Sequence, residues 1–303
     1  MKFTYERERK ILADKIESMR GGGWMPDELL ELIARISRIQ LKACAAMAAA
    51  SFALPEDKVA PETSHRQGAP LLSPEHMPLP GRRGARVFRQ ILDMLRLRGG
   101  GLGASAEEIH RALVRKAGAK GSLRPAQAFA ALLRNDAAFF GRWAELLPGA
   151  PALPRFLALS SLTPCFTRLH AALADRLRVE EIWPHGHCPL CGHPPLIGKL
   201  TGNEGFRYHS CSLCRLEYPA PRLGCPFCRE HDSDKLSVFT TDSQPGYAAY
   251  VCRACKSYIK LADFRECAGR VSLPVLDDLE SLPLDMLAQQ QGLARHTFSA
   301  WGF

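Results

Sequence analysis

Long apolar runs are missing from this 303-residue chain. No stretch reaches about 18 uncharged apolar residues, the least a membrane-spanning helix needs. The Ala-rich segment 41–54 is too short and carries Lys42. The N-terminus, MKFTYERERK, is charged and has no apolar core of the kind a secretory leader requires. Arg82–Arg83 sits inside a Pro/Gly segment and does not read as an export signal. A cytoplasmic protein is therefore expected, in a compartment that keeps thiols reduced and disfavours disulfides. Catalytic signatures are missing as well. The Gly99–Gly103 cluster lacks the Lys-Ser/Thr of a phosphate-binding loop, and neither His-Glu-x-x-His nor a nucleophile elbow occurs. A protein that is not an enzyme is expected.

What is present suits a folded protein: 46% of residues are apolar and 23% charged, over a length that accommodates two domains. The net charge of +9 is unevenly spread. Residues 82–124 hold eleven Lys/Arg against three Asp/Glu, whereas 271–291 hold Asp277, Asp278, Glu280 and Asp285 and no cation. Such asymmetry can mark an acidic partner or nucleic acid. The plainer reading, and the preferred one, is a solvated helical face.

Helical spacing dominates up to Glu181. Residues 5–20 and 26–52 read as helices, separated by Gly21–Gly23, and Leu29, Leu30, Ile33, Ile36, Ile39 and Leu41 form an apolar stripe on the second. Pro55, Pro61, Pro70, Pro74, Pro78 and Pro80 make 54–84 an extended surface connection. Helices are predicted again at 85–98, at 105–117 with Ser105 and Glu108 as a capping box, at 124–134, at 137–146, and at 152–181 with a kink or break at Pro164. Cys44 and Cys165 lie among apolar helical residues and read as buried side chains. After Trp183 the periodicity changes. Gly205–Cys211 and Tyr247–Cys252 alternate like strands, and from Pro274 an acidic, Leu-rich helix runs to about Gln291.

The remaining signal is cysteine. Eight of eleven form four Cys-x-x-Cys pairs: Cys188/Cys191, Cys211/Cys214, Cys225/Cys228 and Cys252/Cys255. Each tight bend turns two sulfurs to one side, and a second bend after a hairpin-length excursion completes a tetrahedron of thiolates. Proximity pairs the first two bends and the last two, which predicts two metal-bound ribbons in tandem; an interleaved cross-brace is the alternative. Thioredoxin-type dithiols are disfavoured by four pairs in one segment, while purely structural zinc is a serious competitor. Spacing alone does not choose between zinc and iron. Arg215, Arg229, Lys256 and Arg253 are placed to offset the charge of the thiolates. His185, His187, His193 and His209 flank the bends, but eight sulfurs already suffice for two closed sites. Such sites leave no coordination position for a substrate. Cys267 reads as a spare or buried thiol.

The segments HCPLCGHPP from His187, GFRYHSCSLC from Gly205, LGCPFC from Leu223 and CRACKSYIK from Cys252, followed by DDLESLPLDM from Asp277, resemble the formate dehydrogenase accessory protein family FdhE. The resemblance is specific over about 183–293. It implies a cytoplasmic, non-catalytic assembly factor in bacteria, acting on the catalytic subunit of a respiratory, molybdenum-containing formate dehydrogenase. It also implies rubredoxin-type iron in both sites, with zinc as the alternative occupant. The expected fold is α+β: an N-terminal all-helical bundle over 1–182, two rubredoxin-like or zinc-ribbon modules over 183–222 and 223–270, and a C-terminal helix and tail over 271–303. The helical half is expected to fold as its own bundle, with the ribbons beside it or on it. Two other classes compete. One is a nucleic-acid-binding zinc ribbon that uses the basic segment and exposed Tyr208 and Tyr250. The other is a rubredoxin-like electron carrier.

Overall fold

Apolar periodicity builds the first half of the molecule. The computed structural model describes residues 3–23, 25–47, 52, 54–78, 81–116, 119, 121–177, 180–265, 267, 270–299 and 301. Helices run over Tyr5–Gly21 (α1), Asp27–Ala45 (α2), Glu62–Arg66 (α3), Gly81–Arg96 (α4), Gly100–Val114 (α5), Pro125–Leu133 (α6), Ala137–Leu146 (α7), Leu153–Ala172 (α8) and Ala174–Leu177 (α9). The central helix is α8, which packs against α2, α4, α6 and α7. Its Leu157, Leu162, Phe166 and Leu169 are fully buried, as are Leu30 and Ile33 of α2. The end of the second predicted helix at 48–51 lies outside the described residues.

Three helical expectations are corrected. The helix predicted from 105 begins earlier, and the glycines at 100, 101 and 103 open α5. A Cβ on Gly103 would collide with the Arg98 carbonyl, so glycine is what lets the chain turn back so closely. Ser105 is consequently buried inside α5 and caps nothing, and Glu108 pairs with Arg111 and Arg115. Pro164 does not divide α8, which runs on to Ala172. A helical proline orphans the carbonyl four residues back, here that of Ser160, and the Gln40 side chain of α2 donates to it at 3.0 Å. The acidic helix is two, Pro274–Glu280 (α10) and Leu282–Gln290 (α11), parted at Ser281 just before Pro283.

The proline-rich connection does more than cross the surface. Leu71 and Leu72 are buried, and their N–H groups donate to the Pro189 and Leu190 carbonyls in the first cysteine bend at 2.8 and 2.9 Å.

Strands Pro195–Thr201 (β1), Phe206–Cys211 (β2), Glu217–Ala220 (β3), Leu236–Phe239 (β4), Tyr247–Cys252 (β5) and Ser257–Asp263 (β6) form one sheet in the order β3-β2-β1-β6-β5-β4. Each ribbon is a three-stranded antiparallel meander. The two join through a parallel pairing of β1 with β6, Gly198 opposite Leu261. The repeat is therefore translational: β4 occupies in the second ribbon the place β1 has in the first.

The acidic residues at 277–285 are not a solvated face. Asp277, Asp278, Glu280 and Asp285 are all buried. Lys15 of α1 contacts Asp277 and Glu280, each at 2.6 Å, and Lys260 of β6 contacts Asp285 at 2.6 Å and Asp278 at 3.0 Å. Arg270 joins Glu280, and Arg295 joins Asp278 and Asp285. The C-terminal helices thus tie the helical half to the second ribbon through buried ion pairs. The basic excess at 82–124 is also partly paired within the chain. Arg96, Arg111 and Arg115 pair with Glu107 or Glu108, and Arg124 caps backbone carbonyls.

Candidate metal centres

The second and fourth cysteine bends join β2 to β3 and β5 to β6, and the first and third are closed by the backbone in one way. The Gly192 N–H donates to the Cys188 carbonyl and the Arg229 N–H to that of Cys225, at 2.9 and 3.0 Å. The residue after the second cysteine is left-handed in all four bends: Gly192 at φ 73°, Arg215 at 66°, Arg229 at 60° and Lys256 at 53°. Only the first is a glycine. The other three carry backbone strain of roughly 1–2 kcal/mol each. The N–H groups of Leu213 and Phe227 point at the sulfurs of Cys211 and Cys225, both at 3.4 Å, where they favour thiolate.

The eight cysteines fall into two groups of four, Cys188/Cys191/Cys211/Cys214 and Cys225/Cys228/Cys252/Cys255, each with its sulfurs within 4.8 Å of one another. The grouping is sequential, not interleaved. Metal–sulfur bonds near 2.3 Å place the sulfurs of a tetrahedron about 3.8 Å apart. In the first group Cys188–Cys214, Cys191–Cys211 and Cys191–Cys214 are separated by 3.6, 3.4 and 3.7 Å. In the second, Cys225–Cys255 and Cys228–Cys252 are each 3.6 Å apart. Both groups therefore fit a four-coordinate zinc or iron ion, with every corner filled by protein sulfur. Either ion would leave a net negative centre.

Burial separates the two sites. All four cysteines of the first are buried, whereas Cys228 is exposed and Cys255 half-buried in the second. The first site belongs to the main apolar core, in which Cys188, Leu190, Leu213 and Leu216 continue the packing of α4 and α8. Burial pushes the Cys188 and Cys214 thiols well up. At Cys191 burial acts in the same direction, but hydrogen bonds from the other three thiols and His193 prevail and hold it well down.

The flanking histidines stay outside both sulfur groups. His187 Nε2 contacts the Gly68 carbonyl at 2.9 Å and His185 packs edge-on against Trp183. His193 Nδ1 lies 3.4 Å from the Cys191 carbonyl. His209 is buried edge-on to Tyr218, and burial, with Arg207 nearby, pushes it well down. Of the expected charge-offsetting cations, Arg215 lies half-buried beside the first site, with Nε and Nη1 unpartnered, while Arg229, Arg253 and Lys256 are exposed around the second. Tyr208 and Tyr250 are half-buried, not exposed platforms. Cys44 and Cys165 are buried, and their thiols are pushed up to about 11 and about 12.

Two groups of residues escaped the sequence reading. Arg207 is one, buried with no ion-pair partner among the described residues. The Lys15 and Lys260 ion pairs are the other. Only the concentration of acid at 277–285 hinted at buried partners.

A helical domain carrying a six-stranded sheet with two four-cysteine groups, each able to hold a metal ion, defines a class of ribbon protein. Comparison with known proteins narrows that class. Residues 187–222 match the family described as FdhE, central domain, and residues 224–301 match FdhE, C-terminal domain. The FdhE homolog of Aquifex aeolicus is 31% identical over 145 residues, 46% of this chain and 49% of that one. The homolog of Haemophilus influenzae strain PittEE is 38% identical over 121 residues, 39% of each chain. Protein FdhE of Escherichia coli O1:K1 / APEC is 33% identical over 147 residues, 48% of this chain and 46% of that one. The chain thus spans less than half the length of these relatives in sequence. The crystal structure of the FdhE protein from Pseudomonas aeruginosa superposes with a TM-score of 0.68 at 22% identity, covering 97% of this chain and 96% of that one. Residues 187–301 are thus similar to the FdhE central and C-terminal domains, and the likeness of fold extends through the helical half.

Proposed function

We propose that this protein is a non-catalytic, cytoplasmic accessory factor for respiratory formate dehydrogenase, and that it binds the immature catalytic subunit. The observation that carries this reading is the pair of complete four-sulfur sites within segments that match both FdhE domains. Cys188, Cys191, Cys211 and Cys214 hold one ion, and Cys225, Cys228, Cys252 and Cys255 the other. Iron is the proposed occupant. A four-thiolate iron can exchange single electrons, and because no coordination position is open, substrate chemistry at the metal is disfavoured.

The test is a deletion strain grown where respiratory formate oxidation is required. Formate dehydrogenase activity should fall while its structural genes are still transcribed. The wild-type chain should restore activity, and a Cys225→Ser/Cys228→Ser variant should restore it poorly. Full activity in the deletion strain, with no paralogue present, would sink the reading. Metal analysis of anaerobically purified protein decides iron against zinc. Exposure of Cys228 also favours a second reading, electron exchange at the second site. That reading requires a reversible couple in a spectroscopic redox titration.

A further inference from the structure

The second ribbon has an edge that the first does not. In the first, the outer side of β1 is taken by β6, running parallel. The equivalent strand β4 ends the sheet, with no strand on its outer side among the described residues. The opposite edge, β3, is covered: the Trp183 N–H donates to the Pro219 carbonyl at 2.9 Å. The Arg253 N–H donates to the Lys235 carbonyl at 2.8 Å. Antiparallel alternation then turns the backbone groups of Leu236 and Val238 outward; the Leu236 N–H is taken by the Ser233 carbonyl, which leaves the Leu236 carbonyl and both groups of Val238 facing outward to pair.

Beside this edge lies a groove of about 210 Å³ that reaches Cys225 and Cys252 of the second site. That volume suits one or two side chains and falls below what drug-sized ligands occupy. Its walls are apolar, and Leu223 and Val238 are 65% and 52% exposed there. Among the described residues its only ionisable side chains outside the cysteines and tyrosines are Arg207 and Arg222, and no carboxylate lines it. Arg207 is 3% exposed. Its Nη1 makes long hydrogen bonds to the Arg222 and Gly224 carbonyls, 3.4 and 3.3 Å, and its Nε is buried without a partner. The guanidinium sits 5.0 Å from the centre of the Tyr250 ring. Cys225 of the second site lines the same groove, but no carboxylate pairs with Arg207 among the described residues, and a buried guanidinium gains from a hydrogen-bonded carboxylate brought from outside.

We infer that the β4 edge and this groove dock an extended segment of a partner protein, pairing as an added strand and setting a carboxylate against Arg207 among apolar neighbours; this rests on the accessory reading for the partner's identity alone. Strand addition supplies main-chain affinity, and the groove supplies selectivity. A second copy of the chain fits poorly. Its β3 edge is covered, and pairing of two β4 edges would bring Arg207 and Arg222 against their own copies. Nucleic acid offers phosphates but no strand for the edge.

The probe is a fluorescein-labelled decapeptide of alternating Val and Glu, titrated into metal-loaded full-length protein and followed by anisotropy. Saturable binding is expected, with affinity about tenfold lower or worse for both Val238→Pro and Arg207→Met. Proline at 238 removes an outward donor and leaves the β5 ladder intact. Circular dichroism and metal content confirm folding, and if Arg207→Met fails to fold, Val238→Pro decides. The docking site is overturned if neither variant weakens binding, or if a Val/Lys peptide binds as well. It is also overturned if a 20-base single strand displaces the peptide at lower concentration than unlabelled peptide does. Failure of the wild-type chain to hold a formate dehydrogenase catalytic subunit would instead remove the accessory reading, since the peptide alone decides the groove.

Discussion

Three long cationic side chains stand where the cysteine bends demand a left-handed backbone. Arg229 and Lys256 are exposed there and have no ion-pair partner among the described residues, so nothing local offsets their strain except closure of the bend around metal. Glycine removes that strain at a smaller cost in chain entropy. Lys256→Gly in metal-loaded protein is expected to raise stability by up to about 1 kcal/mol in urea unfolding. A loss would show that Lys256 contributes more through charge than its backbone costs. Exposure makes a second expectation at this scale. Cys228 and Cys255 should be the first of the eight ligands alkylated by N-ethylmaleimide under a limiting chelator, and Cys188 and Cys214, wholly buried, the last. Mass mapping of modified peptides reads the order, and simultaneous labelling of both groups would contradict it. The four cysteine bends were legible in sequence because local bend geometry fixes their spacing, whereas their sequential grouping had an interleaved alternative that only the tertiary structure decides. Arg207 was not, because its meaning lies in the absence of a carboxylate that only tertiary contacts reveal.

Among the elements, α8 and α10 show how long-range pairing overrides local signals. Pro164 reads as a break, yet one side chain from α2 repairs the hydrogen bond that proline removes. Gln40→Leu should therefore destabilise the protein by about 1–3 kcal/mol, the cost of a buried carbonyl left unpaired. In a Pro164→Ala background, where the helix bonds that carbonyl itself, the same change should cost much less. Equal losses in both backgrounds would mean that Gln40 acts by packing alone. The acidic helix reads as solvated because no cation lies within helical reach. Its partners, Lys15 and Lys260, come from α1 and β6. Lys15→Met leaves Asp277 and Glu280 buried with one countercharge fewer, and a loss of about 3–5 kcal/mol is expected. Denaturant unfolding measures it, and a change under 1 kcal/mol would show that water enters the site.

At the scale of the whole molecule, most of the helices, strands β2 and β5 and the tandem order of the cysteine bends were legible, since each follows from local periodicity or turn chemistry. Their union was not. Joining β1 to β6 makes one sheet of two ribbons, and continuity of the apolar core makes the first site part of the helical half. A sequence that repeats knuckle and strand does not encode which neighbours share a core. The two metals should accordingly matter unequally to folding, because metal binding supplies folding energy only to what it holds together. Cys225→Ser/Cys228→Ser is expected to lose one metal, retain nearly all helical circular dichroism, and unfold the bundle at close to the wild-type temperature. Cys188→Ser/Cys191→Ser is expected to lose the other metal and also to lower and broaden the helical transition. Leu190 and Leu213, positioned by that site, pack into the core shared with α4 and α8. If both double variants leave the helical transition untouched, the bundle folds without the first ribbon, and the shared core is a contact between units that fold separately.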